Sequence, residues 1–178
     1  MLRPARDADV APMRLWRNQP ANRAVSLNEH EITAEEHAAW WARVREDATK
    51  RVLVFEYAGR PLGIVTFFDL DPAPGSASGS GRRTGSWGFF LDSETAARDG
   101  VAVPAWIQLM KDACAWAFDQ LDLAVLHGEV LEGNEAVRAM NRRFRFTEGE
   151  PVTYDDGRVF YPISLRREDR RQPKEGRQ

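Results

Sequence analysis

The residues of this chain best placed to do chemistry lie between positions 86 and 146. A strand-like segment, Ser86-Trp-Gly-Phe-Phe-Leu-Asp92, leads through Ala97-Arg-Asp-Gly-Val-Ala-Val103 into a helical pattern. A second, Leu126-His-Gly-Glu-Val-Leu131, leads through Gly133-Asn134 into another. A helix start carries free amides and the positive end of the helix dipole, so the first junction is a natural anion site. Two neighbouring strands that each feed a helix leave a cleft at their C-terminal ends. The three histidines are His30, His37 and His127. A metal site needs three or four convergent ligands, and no such spacing is present, so no metal is expected. There is no Gly-x-x-x-x-Gly-Lys-Ser/Thr loop, no zinc-type cysteine cluster and no Gly-x-Ser-x-Gly elbow.

The elements that must position these residues are readable from periodicity. Leu2–Ala5 can start a strand. Asp7 or Asp9 caps a short helix to Arg17 that turns Val10, Met13 and Trp16 inward, and residues 18–32 read as a long loop. Thr33-Ala-Glu-Glu36 is a capping box for a helix burying Trp40, Trp41 and Val44. Val52–Tyr57 and Leu62–Phe68 flank Ala58-Gly59-Arg60-Pro61 as an antiparallel hairpin. Residues 72–85 form a Gly/Ser/Pro-rich loop, and Trp87–Leu91 is the next strand. Residues 103–121 have the apolar spacing of a buried helix, Ala124–Leu131 is a strand, Asn134–Phe144 a helix and Arg158–Ser164 a last strand. Hairpins followed by alternating strands and helices predict an α/β chain, a mixed sheet with helices on both faces. A single domain over residues 1–165 is expected, followed by a basic, flexible tail over 166–178.

Composition narrows the class. The chain has 178 residues, 43% of them apolar and 29% charged, which is ordinary for a globular domain with a substantial core. The longest apolar run, Ala113–Phe118, is too short for a transmembrane helix. The N-terminal residues have no signal-peptide pattern, and one cysteine, Cys114, cannot form an internal disulfide. A cytoplasmic protein is expected. The net charge of −2 is uneven, −6 over residues 1–137 and +4 over 138–178. The basic end is either a solvated face or a place that meets phosphates.

On several of these residues the sequence resembles the Gcn5-related N-acetyltransferase (GNAT) superfamily. The likeness rests on Leu2-Arg-Pro, the hairpin around Gly59, Trp87-Gly-Phe-Phe-Leu and Asn134-Glu-Ala-Val with Phe144-Arg-Phe146. Leu15-Trp-Arg-Asn18, His30-Glu-Ile32 and Glu35-Glu-His-Ala-Ala-Trp40 are similar to the branch that acetylates nucleotide-linked amino sugars in the pseudaminic acid pathway. The resemblance implies a mostly antiparallel central sheet with one splayed parallel strand pair. It implies an acyl donor, acetyl-CoA or another acyl-CoA, in the cleft. Phe89, Phe90, Leu91, Arg98, Gly100, Val101, Ala102, Val103 and Asn134 would hold that donor. A small-molecule primary amine would attack directly, held by Trp16, Arg17, Asn18, Glu31, His37 and Trp40. Candidates for proton handling are Glu129, His127, His30 and Glu31, with Ser86 and Asn141 at two further positions of the family pattern. Each also has a purely structural reading: Glu129 and His127 as solvated residues of one strand face, His30 as a loop cap.

The departures from the family pattern cluster at the donor site. Ala97 stands where the family's donor loop begins with Gln or Arg, and Pro104 falls at one count of its second small residue. Asn141 replaces the usual Tyr acid, Arg145 the Gly before Phe146, and Ser86 an acidic residue. The implied donor is therefore either coenzyme A bound by another route or an aminoacyl-tRNA. In the second case no cofactor is needed, and Arg138, Arg142 and Arg145 would meet RNA phosphates. A third reading is a non-catalytic binding module. The assembly is expected to be a monomer or homodimer.

Overall fold

The computed structural model describes residues 1–26, 28–70 and 83–170. The strands are β1 (Leu2–Pro4), β2 (Arg51–Tyr57), β3 (Arg60–Phe68), β4 (Thr84–Leu91), β5 (Val125–Leu131), β6 (Thr147–Glu148), β7 (Val152–Thr153) and β8 (Val159–Arg166). The helices are α1 (Val10–Asn18), α2 (Pro20–Arg23), α3 (Ala34–Val44), α4 (Ser93–Arg98), α5 (Ala102–Ala115) and α6 (Glu135–Arg143).

The strands form one sheet in the order β1-β2-β3-β4-β5-β8-β6, with β7 on β8. Every pairing is antiparallel except β4 with β5. The central strands carry near-continuous apolar runs because both faces are covered. On one face Leu53, Phe55, Val65, Phe67 and Trp87 join the α5 stripe of Ala105, Leu109, Met110, Ala113 and Cys114, with Val137 and Met140 of α6 packed against them. On the other, Val52, Ile64 and Phe90 meet Met13 and Trp16 of α1 and Trp40 and Trp41 of α3. The mixed sheet with helices on both faces is thus the architecture observed.

Local chemistry explains the framework. The capping box forms as expected: the Thr33 hydroxyl accepts from the Glu36 amide at 3.1 Å, and the Glu36 carboxylate accepts from the Thr33 amide at 2.8 Å. Asp9 does not cap α1. Its carboxylate accepts the Arg6 amide and a two-nitrogen fork from Arg3, both of whose contacts are 2.8 Å. Arg3 also binds Glu56 at 2.7 Å, so β1, β2 and the entry to α1 share one ion-paired knot.

Several boundaries differ from the sequence reading. Residues 18–32 are not all loop: Pro20 opens the single turn α2, where its missing amide is harmless. Helix α4 was not foreseen. It is capped by the Asp92 carboxylate, which accepts the Thr95 amide, and it ends at Gly100, whose φ of +68° lets the chain turn directly into α5. The long helix starts at Ala102 and passes after Ala115 into a π-type turn, Trp116–Gln120. Trp40 and Trp41 are half-buried, and His37 is the α3 residue buried beside Val44. Thr84 and Gly85 belong to β4 rather than to the preceding loop. Residues 71–82 lie outside the described residues, as do 171–178. Of the expected tail, Arg166 ends β8 and Arg170 forks onto Asp119 at 2.6 and 2.9 Å.

Candidate active site

β4 and β5 pair only at Thr84 with Val125, Gly85 with Leu126 and Ser86 with His127. Beyond that point β4 stays on β3 and β5 stays on β8. Trp87 occupies the fork, stacked on Phe89 and Phe146 with ring centroids 5.3 and 5.8 Å away. Gly128 faces this ring, and a Cβ there would lie 3.3 Å from the Trp87 Nε1 and from Ile163. The bare Gly128 backbone makes room for the Trp87 ring, and the parted strands line a cavity of about 700 Å³.

The strand pleat divides the cleft into two sides. Trp87, Phe89 and Leu91 pack with the α5 and α6 core, whereas Phe90 packs with α1 and α3. Leu126 and Val130 are buried on the α5 side, so His127 and Glu129 face the α1–α3 side, level with Ser86. Glu129 accepts a hydrogen bond from the Tyr154 hydroxyl at 2.7 Å, and its carboxylate raises the phenol's pKa.

On the α5–α6 side two donors have no hydrogen-bond partner among the described residues: Trp106 Nε1 and Asn141 Nδ2. Asn141 is 1% exposed. Both residues line the cavity, as do Ser86, Phe89, Phe90, Leu91, Ala102, Glu129 and Asn134. The Asn134 carboxamide caps α6 by accepting the Val137 amide. Sequence reasoning placed Trp106 only in an apolar stripe. An indole N–H inside such a stripe was the available signal, since a buried Trp N–H normally has a partner.

Arg98, Gly100, Val101 and Val103 do not line the cavity. The Gly100 and Val101 amides close α4 by binding the Ala97 and Ala96 carbonyls at 3.1 and 2.9 Å. Arg98 pairs with Asp99, which Arg60 also holds. The first turn of α5 therefore offers an anion the amides of Ala102 and Val103, and Pro104 has none to add.

A second cavity of about 520 Å³ lies between α3 and the sheet, and Phe90 lines both. Here the structure brings together Arg17, His30, His37 and Trp40. His30 is engaged by Asn28 and by Glu36, 3.2 Å from its Nε2, and it lies outside the strand cleft. His37 is 6% exposed, and its Nδ1 has no partner among the described residues. Burial, with Arg14 nearby, lowers its pKa and keeps the ring neutral near pH 7. Trp16, Asn18 and Glu31 do not line this space. Trp16 is core, whereas Asn18 clips the loop down by bonding both the amide and the carbonyl of Ile32.

Arg138 and Arg142 converge on one carboxylate. Arg138 forks onto Glu148 at 3.1 and 2.9 Å and lies 4.0 Å over the Tyr161 ring, and Arg142 reaches Glu148 at 3.3 Å. They tie α6 to β6. Arg145 sits at the turn after α6 with a φ of +68°. Among the described residues no three His, Cys, Asp or Glu side chains are grouped to hold a metal, and no helix is long and apolar enough to cross a membrane.

The mixed sheet is opened between its one parallel strand pair, with hydrogen-bond donors on one side of the opening and a carboxylate on the other. Residues 1–147 match the acetyltransferase (GNAT) domain model. The chain belongs to the GNAT acetyltransferase family and is an N-acyltransferase. Its fold is that of spermidine N-acetyltransferase from Vibrio cholerae, solved with CoA and spermine, at a TM-score of 0.77 and 14% identity over 95% of this chain and 96% of that one. An N-acetyltransferase from Staphylococcus aureus Mu50 superposes with a TM-score of 0.66 and 20% identity, covering 93% of this chain and 97% of the other. Campylobacter jejuni N-acetyltransferase PseH gives 0.63 and 14% over 94% and 97%. No curated protein sequence matches this chain.

Proposed function

We propose that this chain transfers the acyl group of an acyl-coenzyme A, with acetyl-CoA as the natural choice, to a primary amine of a small molecule by direct attack. The observation that carries this reading is the β4–β5 cleft, whose two sides differ in chemistry. The α5–α6 side has donors at Trp106 and Asn141 that are unpartnered among the described residues, and first-turn amides at Ala102 and Val103. These suit the polar atoms and phosphates of a coenzyme A donor. The V. cholerae neighbour binds CoA in the same fold.

The amine enters from the α1–α3 side. A C–N bond forms at the thioester carbonyl, the C–S bond breaks, and the amine proton passes to Glu129, directly or through one water. The sulfur departs as thiolate and is protonated from solvent. Asn141 has no ionisable proton, so it assists by hydrogen bonding rather than as an acid. His37, Trp40 and Arg17 shape the space that holds the rest of the acceptor.

The test is thiol release from acetyl-CoA by the purified full chain, with and without a panel of primary amines. Amine-dependent release that survives ribonuclease and falls in Glu129→Gln is expected. Turnover seen only with a charged tRNA would replace coenzyme A as donor. No amide formation with either donor would remove the activity.

A further inference from the structure

We infer that the acceptor amine carries an oxyanion, a carboxylate or a phosphate, and that this group docks on Arg17 in the cavity between α3 and the sheet. The inference rests on the proposed acyl transfer for the identity of the acceptor, but the anion site itself does not depend on it.

Arg17 lies in the last turn of α1, with one arm of its guanidinium turned into the protein. One arm, Nη2, binds the Asn28 carbonyl. The other, Nη1, is buried and has no partner among the described residues. Burial, with Arg23 close by, pulls this guanidinium below its ordinary pKa. The side chain as a whole is half-buried, but a buried N–H of a cation is costly to leave without a partner, and an anion at Nη1 would remove that cost. No carboxylate of the described residues forms an ion pair with Arg17.

The rest of the lining agrees. Arg43, exposed at the same cavity, has no ion pair among the described residues either. Among the described residues Glu36 is the one carboxylate in the lining, and the Thr33 amide and His30 ring already engage it. His37 adds an unpartnered ring nitrogen, and Trp40 a flat apolar wall for the body of a ligand. Such a site attracts negative charge and repels a polycation. The spermine of the V. cholerae complex is therefore a poor guide to the acceptor of this chain. Phe90 lines both cavities, so the site at Arg17 adjoins the strand cleft.

The experiment is calorimetric titration of the full chain with matched pairs. Glucosamine 6-phosphate against glucosamine is the phosphate arm, and tyrosine against tyrosinamide the carboxylate arm, with spermidine as the opposite-charge control. In at least one arm the anionic member should bind about tenfold or more tightly than its uncharged partner, the scale of one charge-assisted hydrogen bond. The arm with the larger ratio names the oxyanion. Arg17→Gln should collapse that ratio toward one, and Arg17→Lys should keep part of it. Arg43→Gln, at an exposed position, should lower the ratio even if the Arg17 variants do not fold. Equal binding within both pairs, no binding of either anionic amine, a ratio unchanged by Arg17→Gln, or tighter binding of spermidine overturns the inference. The reading as an acyltransferase is judged separately, by thiol release.

Discussion

Asn141→Leu separates a catalytic carboxamide from a structural one, because the two roles move stability and turnover differently. The side chain is buried on α6, and its Nδ2 has no partner among the described residues. An unsatisfied buried N–H group costs about 1–3 kcal/mol; leucine keeps the branching at Cγ with no polar atom to satisfy, and its greater bulk can extend into the cavity that Asn141 lines. The variant should be more stable by about 1–2 kcal/mol, which raises Tm by about 2–4 °C per kcal/mol in a chain of this size. If the carboxamide hydrogen-bonds the departing sulfur or the carbonyl oxygen, its loss should lower kcat about 10- to 100-fold, or about 1.4–2.7 kcal/mol of barrier. Differential scanning calorimetry reads the first effect and steady-state thiol release the second. Asn141→Tyr, which supplies a phenolic proton, should leave turnover unchanged or raise it mildly. A leucine variant that melts below the wild type and turns over at the wild-type rate would refute the assignment. Asn141 would then be a packing residue whose amide is satisfied in solution.

Glu129→Gln should reduce kcat at neutral pH by about 100-fold, the lower end for loss of a general base, and Tyr154→Phe, which removes the hydroxyl bonded to that carboxylate, should have a smaller effect. Asp9 is held below its ordinary pKa, first by Arg3, so its contribution to stability is present above the ordinary value of 3.8 and is lost as pH falls through the lower folded value. Asp9→Asn should therefore lower Tm at pH 7 and flatten the acid limb of a Tm-against-pH curve. Cys114 is buried and its thiol is pushed up to about 12. Iodoacetamide at pH 8 should leave the native chain unlabelled and modify it only after denaturation.

Much of the frame was legible because it is written in short-range patterns. Thr33 and Glu36 lie three residues apart, and their capping box formed as read. The β2–β3 hairpin, the α5 stripe and the two strands of the cleft each carry their period within a few turns of chain. The short pieces were not legible. β6 and β7 have two residues each and exist only because β8 offers them an edge, and α4 is stabilised partly by Gln19, 74 residues away from Ser93.

The site divides the same way. The resemblance of the sequence to its family nominated Glu129, Asn141, Arg17, His37 and Trp40. Only the folded chain showed that Asn141 shares a cavity with Trp106, that His30 is tied to Glu36, and that Arg138 and Arg142 close on Glu148. Whether a polar atom is satisfied depends on what distant segments bring within about 3 Å of it. No local pattern encodes that distance, so the sequence by itself determined which groups could act, and tertiary packing decided that Arg17 Nη1, Trp106 Nε1 and Asn141 Nδ2 were left without partners among the described residues.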